Sequence, residues 1–172
     1  MMAMTLGSSL ALPESVFAKM GDPFDPAELT FFTPEERARC AAFAEAIIPK
    51  TDTPGAIEAG VPGWIEVIVK DCYTEQDGKA IKDGLAAIAK DCEEKTGKAI
   101  DRLTGEEQVA FLNAYNARGG AEQTFLQQFK ELVKFTYVNS EVGGTRAFQF
   151  DLVPGKWVAS MPLEPGQKAY SM

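Results

Sequence analysis

Apolar residues recur along this chain at helical spacing, in five blocks separated by capping residues, prolines and glycines. In the first block, Cys40, Phe43, Ala44, Ile47 and Ile48 share one face. Thr33-Pro34-Glu35-Glu36 stands at its start as a capping box with proline at the first helical position, and Pro49 stops it. A second helix opens at Pro62, with Val61, Trp64, Ile65, Ile68 and Cys72 as its predicted buried stripe. Thr74 and Asp77 mark a turn, and a third helix carries Ile81, Leu85, Ile88, Ala89 and Cys92 towards Thr96–Gly97. Gly84 inside it costs about 1 kcal/mol relative to alanine. Thr104 and Glu107 form another capping box before a short helix with Phe111, Leu112 and Tyr115. Gly119–Gly120 breaks that helix. A last one, about 121–138, aligns Phe125, Phe129, Leu132, Val133 and Thr136.

From Asn139 onward the helical period is lost. Phe148, Phe150 and Leu152 alternate as in a short strand, yet no second strand to pair with them is legible. So aromatic a segment is too apolar for a free tail. The pattern predicts an all-α fold, a small bundle of about five helices with an extended, irregular C-terminal arm. The chain divides into a lead-in over 1–30, the bundle over 31–139 and the arm over 140–172, the last packed on the bundle or on a partner.

One connection is oversized. Between Ile47 and Trp64 run two threonines, an aspartate, Pro54–Gly55 and Gly60, where most connections take about 4–6 residues. Pro49, Thr51, Asp52, Pro54, Gly55 and Trp64 are therefore candidates for a structural or partner-binding loop. In the arm, Phe148, Phe150, Pro154, Gly155 and Trp157 are candidate anchors, Trp157 as an interface residue, because tryptophan is enriched among interface hot spots, or as a staple of the arm to the bundle.

Composition narrows the chemistry. The net charge is −8, with no Lys/Arg cluster, which argues against nucleic acid. The chain has no histidine, so the commonest general base, the commonest zinc ligand and every Ser-His or Cys-His nucleophile are missing. Glu35/Glu36, Glu93/Glu94 and Glu106/Glu107 are sequence neighbours that diverge on a helix, and two of these pairs serve as caps. No G-x-G-x-x-G follows a strand and no E-x-x-H occurs. Cys40, Cys72 and Cys92 lack C-x-x-C spacing and lie on predicted apolar stripes. They read as core thiols, with one disulfide plus a free thiol, or a mixed disulfide, as the alternative.

No apolar run is long enough to span a membrane. MTLGSSLALPESVFA has the small, apolar character of an export leader, with Val16-x-Ala18 as a cleavage site. The first basic residue is Lys19, however, so a positively charged start is missing. A docked or disordered N-terminal arm is the other reading.

Four stretches carry a family resemblance: FFTPEERARCAAFAEAIIPKTDTPGAIEAGVPGWIEVIV, LTGEEQVAFLNAY, FLQQFKELVKFTYVNSEVG and the closing FDLVPGKW. IIPKTDTPGAIEAGV is the most specific. From Phe31 to its end the chain resembles the gluconate 2-dehydrogenase subunit 3 family, the small subunits of bacterial membrane-associated sugar and polyol dehydrogenases.

The resemblance implies a non-catalytic subunit of a periplasmic complex that binds no cofactor itself and meets the membrane only indirectly. It implies a large FAD-binding partner of the glucose-methanol-choline type and a multihaem cytochrome c subunit carrying c-type haem. It further implies a role in folding and twin-arginine export of the flavoprotein, although no Arg-Arg pair stands in this sequence. The family supplies no catalytic residues to carry over. Two other readings remain open: a free-standing helical periplasmic binding protein, and an enzyme acting through a cysteine.

Overall fold

Thr33 begins the first helix as a capping box requires: Thr33 Oγ1 accepts from Glu36 N at 3.2 Å, and Glu36 Oε2 accepts from Thr33 N at 2.8 Å. A computed structural model describes residues 29–153, 155, 160 and 162–171. Among them five α-helices follow one another: α1 Pro34–Ile47, α2 Val61–Cys72, α3 Glu75–Thr96, α4 Gly105–Asn116 and α5 Gly120–Asn139. A 3-10 turn, Ile100–Arg102, links α3 to α4. Thr74 caps α3, and Thr104 caps α4 in a complete box with Glu107.

The first helix lies at the centre, packed against each of the other four. Cys40, Phe43 and Ala44 from α1 meet Ile65 and Val69 from α2 in the core. Ile81, Leu85, Ile88 and Cys92 come from α3, Phe111 and Tyr115 from α4, and Leu126, Phe129, Leu132 and Val133 from α5. Gly84 has a packing reason. The Phe125 ring lies so close that an added Cβ would meet it at 2.2 Å. Leaving out that methyl lets α5 cross close to α3.

The second helix corrects the sequence reading. Its buried arc is Val61, Pro62, Ile65, Glu66 and Val69, whereas Trp64 and Cys72 are exposed and Ile68 is half-buried. The arc is rotated towards Pro62 and Glu66 because an ion pair draws Glu66 inward. On α5, Phe125 is only half-buried, while Leu126 and Tyr137 lie in the core. Ile47, Ile48, Ala89 and Leu112 are likewise half-buried.

The arm holds two further corrections. Ser140 ends α5, and its Oγ accepts from Gly143 N at 3.0 Å. A short π-helical turn, Gly143–Ala147, follows where no helical period was legible. β1 (Gln149–Phe150) then pairs in parallel with β2 (Tyr170–Ser171), Gln149 opposite Tyr170. The expected strand therefore does have a partner, one of two residues, too short to show alternation. The leader-like N-terminus, Pro154 and Trp157 lie outside the described residues.

Candidate functional site

The oversized loop is built as a plug with one buried and one exposed side. Its backbone turns on itself: Ala56 N donates to Ile48 O at 2.9 Å, Ala59 N to Gly55 O and Val61 N to Ala56 O, both at 3.0 Å. From α1, the Glu45 carboxylate accepts from Lys50 N at 3.0 Å and from Ile57 N at 2.8 Å. This single side chain satisfies two loop amides that no helix ladder reaches. Gly55 lies under it, where an added Cβ would stand 2.2 Å from Glu45 Oε1.

On the other side Tyr137 of α5 donates its hydroxyl to Pro54 O at 2.6 Å. Pro54, Gly55, Ala56 and Ala59 are buried, while Pro49, Thr51, Asp52, Ile57 and Glu58 face outward. Glu58 bridges Lys50 at 2.7 Å and Arg146 at 3.2 Å, tying the loop's rim to the arm. The hydrogen-bonded Lys50 ammonium holds the Glu58 carboxyl below its usual range. Half of the loop is packing and half is surface.

Beneath this, α2 carries a buried carboxylate that the sequence reading missed. Glu66 is fully buried. Its Oε1 accepts from Phe31 N and Phe32 N, both at 2.9 Å, and from Arg37 Nη2 at 3.0 Å; its Oε2 accepts from Arg37 Nε at 2.7 Å. Burial pushes its acidity towards the neutral form. The Arg37 guanidinium and the two amides outweigh that and hold the carboxyl below its ordinary value. With its oxygens turned to donors of its own chain, Glu66 is a strut that fastens the lead-in to α1 and α2. The one sequence signal was an acid in the middle of an otherwise apolar VPGWIEVIV run.

At the surface the structure brings the two sets of candidate anchors together. Trp64 of α2 and Phe150 of β1 line one shallow depression of about 410 Å³, with Asn139, Ser140, Glu141 and Thr145 from the junction between α5 and the arm. Trp64 is 38% exposed and Phe150 49%, and Leu152 and Val153 beyond Phe150 are more exposed still. Phe148 turns the other way. It is half-buried, and its ring meets Tyr137 edge-on at 6.4 Å between centroids. Tyr137 thus holds the loop through Pro54 and the arm through Phe148. Gly155 is exposed.

A sequence model described as Gluconate 2-dehydrogenase subunit 3 matches residues 34–155, from the first turn of α1 to the arm. The chain belongs to the gluconate 2-dehydrogenase subunit 3 family. As a subunit 3 chain it is an accessory subunit of a multi-subunit dehydrogenase complex, with partner subunits. No curated protein and no solved structure matches it. The matched span includes Arg37, Glu45, Gly55, Trp64, Glu66, Tyr137 and Phe150, so the plug, the strut and both aromatic anchors lie within the family's own region.

All three cysteines of this subunit 3 chain are free thiols. Cys40 and Cys92 are core residues, and burial together with the Glu66 charge pushes the Cys40 thiol up to about 12. Burial likewise raises the Cys92 thiol. Cys72, expected on an apolar stripe, is instead exposed at the end of α2. No disulfide joins any two of these cysteines in this structure. Among the described residues, no group of three or more His, Cys, Asp or Glu side chains is placed to hold a metal ion. No described helix is long and apolar enough to cross a membrane.

Proposed function

We propose that this chain is the non-catalytic small subunit of a periplasmic, FAD-dependent sugar or polyol dehydrogenase of the gluconate, glucose or glucoside type. It docks on the catalytic flavoprotein, completes that protein's fold and accompanies it through twin-arginine export. In this reading FAD sits on a large glucose-methanol-choline-type subunit and c-type haem on a multihaem cytochrome c subunit. Substrate choice and electron transfer then belong to those partners.

The observation that carries the proposal is the pairing of Trp64 with Phe150 on one exposed face, flanked by Leu152 and Val153. Apolar area covered by a partner is worth about 25 cal/mol per Å². Aromatic anchors held on rigid elements lose little conformational freedom on docking. Trp64 is rigid because α2 is fastened by the Glu66 strut, and Phe150 because Phe148 and β2 hold the arm.

Co-expression tests the reading. A flavoprotein dehydrogenase encoded beside this chain is expected to reach the periplasm in active form with it, and to stay in the cytoplasm or aggregate without it. A flavoprotein exported and fully active in the absence of this chain would overturn the proposal.

A further inference from the structure

The depression between Trp64 and Phe150 is acidic as well as aromatic. Glu141, exposed at its rim, is its one charged lining residue. Among the described residues no lysine or arginine forms an ion pair with Glu141. The bases that follow it in the chain are engaged elsewhere. Arg146 bridges Glu58 at 3.2 Å, and Lys168 donates to Arg146 O.

The polar side chains of the depression have turned their donors inward. Asn139 Nδ2 donates to Phe135 O at 2.7 Å, and Ser140 Oγ donates to Tyr137 O at 2.8 Å. Thr145 Oγ1 donates to Glu141 O at 2.6 Å. The single hydroxyl protons of Ser140 and Thr145 are thereby used within the chain, so the depression offers mainly acceptors. It also lies at the C-terminus of α5, whose last turn holds no basic residue to offset the negative end of the helix dipole.

We propose that this depression takes an arginine side chain of the catalytic flavoprotein, its guanidinium paired with Glu141 and lying against the Trp64 and Phe150 rings. The assignment rests on the docking reading above and names the chemistry of the partner's contact. A carboxylate, an acceptor of hydrogen bonds, the negative end of α5 and two aromatic rings all favour a cation that only donates. Guanidinium suits them better than ammonium, since it is planar, carries five donors in a fixed fork and stacks on aromatic faces. An anion would meet like charge on every polar side. The net charge of −8 attracts a basic face of the partner in the same sense.

Two measurements test this on the full chain. In the first, N-acetyl-arginine amide is titrated into the chain alone, followed by the NMR signals of the Trp64 indole and of the Gly144 and Thr145 amides. The expected result is a saturable shift at these groups, tighter than that with N-acetyl-lysine amide and absent with the uncharged citrulline analogue. Glu141→Gln should weaken it about fivefold, the upper end for an exposed ion pair. In the second, Glu141→Gln should bind the flavoprotein about tenfold or more weakly, with a smaller salt dependence. The Glu141 carboxylate ties no described element to another, so the unfolding midpoint should stay close to wild type. No saturable shift, an equal response to lysine or citrulline, or a Glu141→Gln chain that binds like wild type would each overturn the proposal. A chain that binds arginine amide but no flavoprotein would overturn the docking reading and leave the chemistry of the depression standing. A chain that binds the flavoprotein but not arginine amide would overturn this assignment alone.

Discussion

Arg37 and Glu66 meet as a two-pronged ion pair between α1 and α2, Nε to Oε2 at 2.7 Å and Nη2 to Oε1 at 3.0 Å. The acid is fully buried, and the guanidinium side chain is 29% exposed. Breaking a buried pair from one side costs about 3–5 kcal/mol, because the other charge is left without compensation. Partial exposure of Arg37 puts Arg37→Met near the lower end, about 3 kcal/mol. Glu66→Gln keeps an acceptor for Phe31 N and Phe32 N and is expected to cost less. Urea unfolding of both variants reads the difference.

The same site sets an acid limit. Glu66 is held below its ordinary value in the folded chain, against about 4.3 when unfolded. Between those two values the unfolded chain binds the extra proton, so stability rises with pH there. The contribution is therefore complete above about pH 4.3 and drains away as pH falls through the folded value. Wild type is expected to lose stability more steeply below that pH than Glu66→Gln. Parallel acid titrations followed by circular dichroism check it.

Gly55 and Glu45 are expected to behave as one unit. Gly55→Ala drives a methyl into the carboxylate that caps Lys50 N and Ile57 N, so it loses both hydrogen bonds or strains the loop. Both amides belong to exposed residues that water can reach, so each lost hydrogen bond is worth about 0.5–1.5 kcal/mol. In the double variant with Glu45→Ala, the alanine at 55 should add much less than it costs alone. A double-mutant cycle measures that shortfall.

Thiol chemistry separates the three cysteines. One group, Cys72, is expected to react quickly with an aromatic disulfide reagent in the native protein, and all three in denaturant. Cys40 should be the slowest, being buried and pushed up to about 12. Peptide mapping of the labelled protein identifies which thiol reacted.

Local signals were legible and long-range ones were not. Thr33 with Glu36, and Thr104 with Glu107, announce helix starts within four residues, and both boxes form. The loop was legible as a loop because Pro49 and Pro62 bound it. Its buried half, Pro54 to Ala56, was not, because Glu45 and Tyr137 create that burial from other helices. Glu66 escaped notice for the same reason, its guanidinium partner lying 29 residues upstream. The register of α2 went wrong with it: a charged residue drawn inward by a distant partner turns Trp64 and Cys72 out. Turned outward, Trp64 lines the same surface depression as Phe150.

The most direct test of the docking account is the affinity of this chain for its flavoprotein partner with Trp64→Ala and Phe150→Ala, alone and together. Both side chains are substantially exposed, so unfolding midpoints should stay close to wild type. Hot-spot truncation costs about 2 kcal/mol or more, so each single variant is expected to bind at least about 30-fold more weakly and the double variant weaker still. Wild-type affinity in the folded double variant would contradict the account.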